Sequence, residues 1–156
     1  MNYIKKYFHQ IESGQVVVSK KVRATYKHLV DKLHDDGKSA YIYDDKKAQY
    51  VIDFIQTFCK HSKGKWGGKP VVLELWQKAL LSALFGFVDR YTGLREYRQM
   101  ILIIWRKNGK STLASCIGLY LLIADGESGP EIYAAATKKD QAKIIWKEAR
   151  SMIKKS

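Results

Sequence analysis

At 156 residues, with 46% hydrophobic and 12% aromatic side chains, the chain can build a buried core and is too apolar for wholesale disorder. Its 28 Lys and Arg against 15 Asp and Glu leave a net charge of +13, which suits a polyanion such as nucleic acid, although the excess is spread evenly over residues 1–70 and 71–156. No apolar stretch reaches the roughly 20 residues that cross a bilayer, no export signal is visible, and two cysteines without a CxxC pair read as free buried thiols in a reducing cytoplasm, not as a disulfide or zinc framework.

The first third reads as helices. Ile4, Tyr7, Phe8 and Ile11 fall on one face of a short helix that Gly14 can end. Ser19 can cap a second helix with Val22, Tyr26, Leu29, Val30 and Leu33 as its apolar stripe, closed by Asp35-Asp36-Gly37. Asp44 or Asp45 opens a third, which turns Ala48, Val51, Ile52, Ile55, Phe58 and Cys59 inward. These stripes carry no convergent polar group and predict core packing. His9, His28 and His34 sit among helical charges and read as surface residues.

Residues 61–70 form a glycine- and lysine-rich stretch with one aromatic, Trp66. It lacks the strand-then-helix setting of a phosphate cradle and reads as a linker. Residues 73–87 then predict a helix with Trp76, Leu80, Ala83, Leu84 and Phe87 inward, followed by a turn over residues 89–93.

The remainder alternates. Residues 100–105 are a continuous apolar run rich in β-branched side chains, the pattern of a strand buried on both faces of a parallel sheet. A glycine-bearing turn leads into a helix through Leu113, Ile117, Tyr120, Leu121 and Ala124. Residues 131–136 predict a second strand. Thr137 with Asp140 marks the start of a closing helix whose apolar face is Ala142, Ile145, Trp146, Ala149, Met152 and Ile153. Strand, loop, helix, strand, helix is the unit that builds α/β proteins.

The turn between the first predicted strand and its helix reads Trp105-Arg106-Lys107-Asn108-Gly109-Lys110-Ser111-Thr112. Its end, Gly-Lys-Ser-Thr, is the close of a phosphate-binding P-loop. Backbone N–H groups at the start of a helix converge on one point, where the helix dipole also favours negative charge. Gly109 lets the backbone approach a phosphate, Lys110 can reach the β- and γ-phosphates, and the Ser111 hydroxyl can ligate Mg²⁺. Ile104 stands where the full GxxxxGK[ST] pattern has its first glycine. Without an anion, Arg106, Lys107 and Lys110 would crowd a positive helix end to no benefit, so the loop predicts nucleotide binding.

These residues resemble the N-terminal part of the large terminase subunit of tailed bacteriophages, the ATPase of the DNA-packaging motor. The resemblance runs through Ser13-Gly14, Leu73-Glu74-Leu75-Trp76-Gln77, Phe85-Gly86-Phe87, Thr92-Gly93-Leu94-Arg95-Glu96-Tyr97-Arg98 and the loop itself, then Ala135-Ala136-Thr137-Lys138-Lys139-Asp140-Gln141-Ala142. The family's Walker A is deviant, with an early Arg and often no leading Gly, so Arg106 supports the resemblance and Ile104 does not oppose it.

The resemblance implies several roles. Gln77, after Trp76, matches the adenine-recognising glutamine, since a side-chain amide can donate and accept at once; taken alone it reads as a solvent-facing helix residue. Leu75 stands where a Pro is frequent, which leaves Gln77 in place. Arg106 is expected near the γ-phosphate, acting with Lys110 in catalysis, and residues 106–112 around ATP with Ser111 on Mg²⁺. Residues 137–141 resemble a helicase-like coupling motif. The implied partners are double-stranded viral DNA, the small terminase subunit and the portal protein, in the host cytoplasm and transiently at the procapsid portal, with no membrane; the source is a phage or prophage.

Hydrolysis needs an acidic group on the Mg²⁺ and a residue to position water. The imitation at residues 121–125, with Glu127 beyond, lies at the far end of the helix that follows the loop, about 20 Å from the phosphates at 1.5 Å per residue, and is rejected. The expectation is therefore a piece that stops before Walker B and before the nuclease domain, binds ATP and does not turn it over efficiently alone. Its fold should be α/β: an N-terminal helical subdomain and linker over 1–70, then the first part of a P-loop ATPase domain over 71–156. The alternatives are another helicase-like P-loop ATPase and a non-enzymatic basic nucleic-acid-binding module.

Overall fold

A computed structural model describes residues 2–34 and 39–155. In chain order they form α1 (Tyr3–Glu12), α2 (Lys20–Lys32), β1 (Tyr41–Tyr43), α3 (Asp45–Phe58), a 3₁₀ turn (Gly64–Trp66), α4 (Leu75–Gly86), β2 (Phe87–Asp89), α5 (Lys110–Ile123) and α6 (Lys139–Lys155). The chain is thus α/β, with six helices and one two-stranded sheet among the described residues. It divides into two units, one from residues 1–52 and 73–101, the other from 53–72 and 102–156.

In the first unit the periodicity of the sequence is realised. Ile4, Tyr7 and Ile11 of α1 meet Tyr26 and Leu29 of α2 and Ala79 and Ala83 of α4, with Phe87 beneath them. Tyr7 and Tyr26 pack edge to face, 4.8 Å between centroids, and each fully buried side chain of this size contributes about 1.5–3 kcal/mol. Asn2 caps α1 by accepting from the Ile4 and Lys5 N–H groups at 3.0 and 3.2 Å. Gly14, at φ +75°, turns the chain out of α1, and Ser19 caps α2 through the Val22 N–H. Val22, on the expected α2 stripe, is exposed. The expected closure of α2 at Asp35-Asp36-Gly37 lies outside the described residues. Asp44 starts α3 by accepting from the Lys46 and Lys47 N–H groups.

The helix expected over residues 73–87 is α4, which gives up Phe87 to β2. β2 pairs antiparallel with β1, with Tyr43 opposite Phe87, Ile42 opposite Val88 and Tyr41 opposite Asp89. Gly86 makes this junction possible, because a Cβ there would stand 2.5 Å from Tyr43 Cε2. The expected turn over residues 89–93 forms as drawn. Asp89 Oδ1 accepts from the Tyr91 and Thr92 N–H groups and the Thr92 hydroxyl, and these bonds hold its carboxyl below the usual range.

The second unit is built on α5 and α6. Leu113, Cys116, Leu119 and Tyr120 of α5 are buried, as are Met152 of α6 and Phe54, Ile55, Cys59 and Val71. Ile117 and Leu121, expected on the buried stripe of α5, are only half-buried. The Ser115 hydroxyl donates to the Ile145 carbonyl at 3.0 Å, and Cys116 Sγ lies 3.9 Å from Met152 Sδ. Both cysteines are free and buried, and hydrogen bonding to Cys59 together with burial pushes the Cys116 thiol up. Residues 61–70 do not hang as an open linker. They close on themselves through His61 N–H to Lys69 O and Gly68 N–H to His61 O, while Lys60 donates to the Lys155 carbonyl and the Lys155 ammonium to the Ser62 carbonyl.

Two expectations fail among the described residues. The runs 100–105 and 131–136 form no strand, and several of their apolar side chains stand in solvent: Ile101 and Ile103 are each 89% exposed and Tyr133 84%, while Leu102 and Ile104 are half-buried. A parallel strand buried on both faces needs a neighbour on each edge and helices over the sheet. The described residues place no strand beside either run.

Candidate functional site

The site expected at residues 106–112 is the start of α5. Gly109 is its N-cap residue, at φ 71° and ψ 15°, a left-handed conformation that costs a side-chain-bearing residue about 1 kcal/mol. This conformation turns the chain directly into the helix, whose first intrahelical bond runs from the Leu113 N–H to the Gly109 carbonyl at 2.9 Å. Lys107 also takes a positive φ, 67°, the one non-glycine to do so among the described residues. Such a strained backbone persists only where its surroundings over-determine it.

The Lys110 ammonium folds back over the loop, donating to the Ile104 carbonyl at 2.5 Å and the Trp105 carbonyl at 3.0 Å. Arg106, Lys107, Asn108, Gly109 and Ser111 are exposed and Lys110 is half-buried, so two exposed cations precede the N–H groups of the first helical turn. Thr112 is half-buried and donates to Glu148 of α6 at 3.3 Å. Of the two hydroxyls in the motif, Ser111 is therefore the one that faces solvent. The Thr112–Glu148 and Ser115–Ile145 bonds anchor α5 on α6 just behind the loop; no sequence signal pointed to either.

The other predicted site residues lie in the first unit. Trp76 is partly buried against its core. Gln77 is not a purely solvent-facing residue, because its Oε1 accepts from the Glu74 N–H at 2.8 Å, half of a capping box at the start of α4. The Glu74-x-x-Gln77 spacing was the signal for this, with Glu in place of the usual Ser or Thr. Near α6 the Thr137 hydroxyl pairs with Gln141 at 3.3 Å. Asp125 follows the end of α5, a helix of 14 residues and thus about 21 Å long. Among the described residues no three His, Cys, Asp or Glu side chains gather as a metal cluster, and no helix is long and apolar enough to cross a membrane.

The chain is α/β, and a glycine-capped, lysine-bearing loop stands at the head of α5. The chain belongs to the terminase large subunit family: the family model described as "Terminase large subunit, ATPase domain" matches residues 75–156. It is also 32% identical over 108 residues to the terminase large subunit of Enterobacteria phage HK97, an alignment that covers 69% of this chain and 20% of that protein. The chain thus spans about a fifth of the length of this relative. No solved structure matches.

Proposed function

We propose that the chain is the nucleotide-binding front of an ATP-driven motor that packages double-stranded viral DNA into procapsids. The observation that carries this reading is the Lys110 ammonium poised over a loop whose Gly109 is left-handed, at the N-terminus of α5. The family match over residues 75–156 supports it, since that span includes Gln77 and the whole loop.

In this reading the N–H groups of residues 107–112 receive the phosphates, and Lys110 exchanges its two carbonyl acceptors for β- and γ-phosphate oxygens. Each such charged hydrogen bond contributes about 1.5–3 kcal/mol. Arg106 supplies positive charge toward the γ-phosphate. Ser111, the exposed hydroxyl of the first turn, fits an Mg²⁺ ligand, whereas Thr112 is committed to Glu148. The ion, when bound, offsets phosphate charge. Gln77 reads adenine beside Trp76: its carbonyl oxygen retains a second lone pair after serving Glu74, and its amide donates. Residues 137–141 couple the nucleotide state to motion. The runs 100–105 and 131–136 enter the parallel sheet of a longer polypeptide, which supplies the neighbours that their exposed faces lack and makes residues 71–156 the first part of an ATPase domain. Duplex DNA, the small terminase subunit and the portal protein are the partners of that longer protein, working in the host cytoplasm.

Calorimetric titration with Mg²⁺-ATP tests the nucleotide arm. The wild-type chain saturates, and Lys110→Ala, checked for fold by circular dichroism, loses at least about tenfold in affinity, the loss of one charged hydrogen bond. Equal affinity in the two proteins, or no heat with a folded wild type, refutes it.

A further inference from the structure

The outward face of α6 carries a regular row of cations. Lys139, Lys143, Lys147, Arg150 and Lys154 are all exposed, and at 100° per residue they fall within an arc of about 80°. Along the axis they span about 22 Å, one cation every 4 to 6 Å. Duplex DNA presents a phosphate every 3.4 Å of axis on each strand, so the two charge densities are comparable.

Helix stability does not account for this row. Cations suit the C-terminal end of a helix, which covers Lys154, but Lys139 lies in the first turn, where the dipole opposes it. Nor do the two carboxylates of α6 balance its five outward cations: Asp140 alone stands exposed, in the first turn beside Lys139. Glu148 is turned inward to Thr112, and the ion pairs recorded among the described residues, Arg23–Glu12 and Lys32–Glu96, lie elsewhere. Arg150 instead stacks on Trp146, 5.4 Å from the ring centroid, and the indole remains 57% exposed beside the row. At the far end of α6, Lys155 is held by Lys60 and Ser62, which brings the 61–70 loop to the end of the row. In that loop Lys65 and Lys69 stand over Trp66 at 5.3 and 5.0 Å.

We propose that this face of α6, extended by the 61–70 loop, is a sequence-independent docking surface for the phosphate backbone of duplex DNA. Protein partners are the weaker match, because the cores of protein–protein interfaces are depleted in Lys, the residue that makes up four of the five cations of this row. Duplex rather than another polyanion rests on the packaging reading above.

The test is fluorescence anisotropy of a labelled duplex of about 30 base pairs, titrated with the 156-residue chain over a series of salt concentrations. The row variant is Lys139→Gln/Lys143→Gln/Lys147→Gln. Its control is Lys20→Gln/Lys21→Gln/Lys27→Gln on the exposed face of α2, and a third variant replaces the three row lysines by Arg. Gln and Arg match Lys in helix propensity, so α6 keeps its helix, which circular dichroism verifies. The expected result for the row variant is a slope of log K against log salt that is shallower by about 2 to 3, and affinity at least tenfold lower at about 50 mM salt. The Arg variant and the α2 control retain the wild-type slope. An unchanged slope in the row variant, an equal loss in the control, or no duplex binding by the wild type overturns the proposal. Mg²⁺-ATP titration of the same proteins separates the two readings. Nucleotide binding by a wild type that does not bind duplex, or binds it independently of the row, sinks the surface alone, and row-dependent duplex binding without nucleotide binding sinks the motor reading alone.

Discussion

Lys32 and Glu96 offer the sharpest test of how the first unit is held together. Their side chains are only 16% and 18% exposed, and they form an ion pair under the β1–β2 sheet. The Lys32 ammonium also lies 5.1 Å from the centroid of Phe87, 5.3 Å from Tyr97 and 5.6 Å from Tyr41, with the Tyr97 hydroxyl at 3.5 Å. Glu96 Oε2 is buried and finds no hydrogen-bond partner among the described residues, so the carboxylate depends on Lys32 for compensation. Removing one member of a fully buried pair costs about 3–5 kcal/mol; with a sixth of each side chain still in solvent, Lys32→Met should cost about 2–3 kcal/mol. Glu96→Met should cost a similar amount by stranding the ammonium. The double substitution removes both charges and fills the space with apolar atoms, so it should cost about 1 kcal/mol, far less than the two singles together. Urea unfolding of the four proteins, followed by tyrosine near-UV circular dichroism, measures the cycle. Single costs under about 0.5 kcal/mol, or additivity within that margin, would refute the reasoning.

Two further outcomes follow from the same unit. Gly86→Ala places a Cβ 2.5 Å from Tyr43 Cε2 and 3.1 Å from Ala48 Cβ, an overpacking that should cost about 1–3 kcal/mol and lower the melting temperature by several degrees; an unchanged melt contradicts the contact. Burial, the main cause, pushes the Tyr43 phenol up to about 12, against about 10 in an unfolded chain. The neutral phenol is the form the fold favours, so its contribution is complete below pH about 10 and is lost as pH rises toward 12. Tyr43→Phe should therefore lose stability less steeply than wild type across that window, and parallel curves would contradict the assignment.

Much of the first unit was legible because its helices bury one face each. The Ile4, Tyr7 and Ile11 spacing and the Ser19 cap both carried through to the structure. β1 and β2 were not legible: three residues show no periodicity, and their pairing depends on Gly86 leaving room for Tyr43, a contact across more than forty positions. The runs 100–105 and 131–136 failed for a different reason. An apolar, β-branched run reports a capacity for burial, whereas forming a strand requires neighbours that the described residues do not supply. At the candidate site the motif announced Gly109, Lys110 and Ser111. It could not announce the acceptors of Lys110, the strained Lys107 or the Glu148 that claims Thr112, because these depend on how the loop closes and how α6 lies on α5. Gln77 shows the remaining gap, since one amide serves a helix cap and is also the proposed adenine reader.

In the proposed function the backbone amides heading α5 receive the phosphates of a nucleotide. Amide chemical-shift mapping by NMR addresses it residue by residue, with Mg²⁺-ATP, Mg²⁺-ADP and adenosine titrated into the isotope-labelled chain. Saturable shifts are expected with both nucleotides, concentrated at residues 107–112 and absent there with adenosine. Shifts of equal size with adenosine, or nucleotide shifts that leave residues 107–112 unmoved, would contradict it.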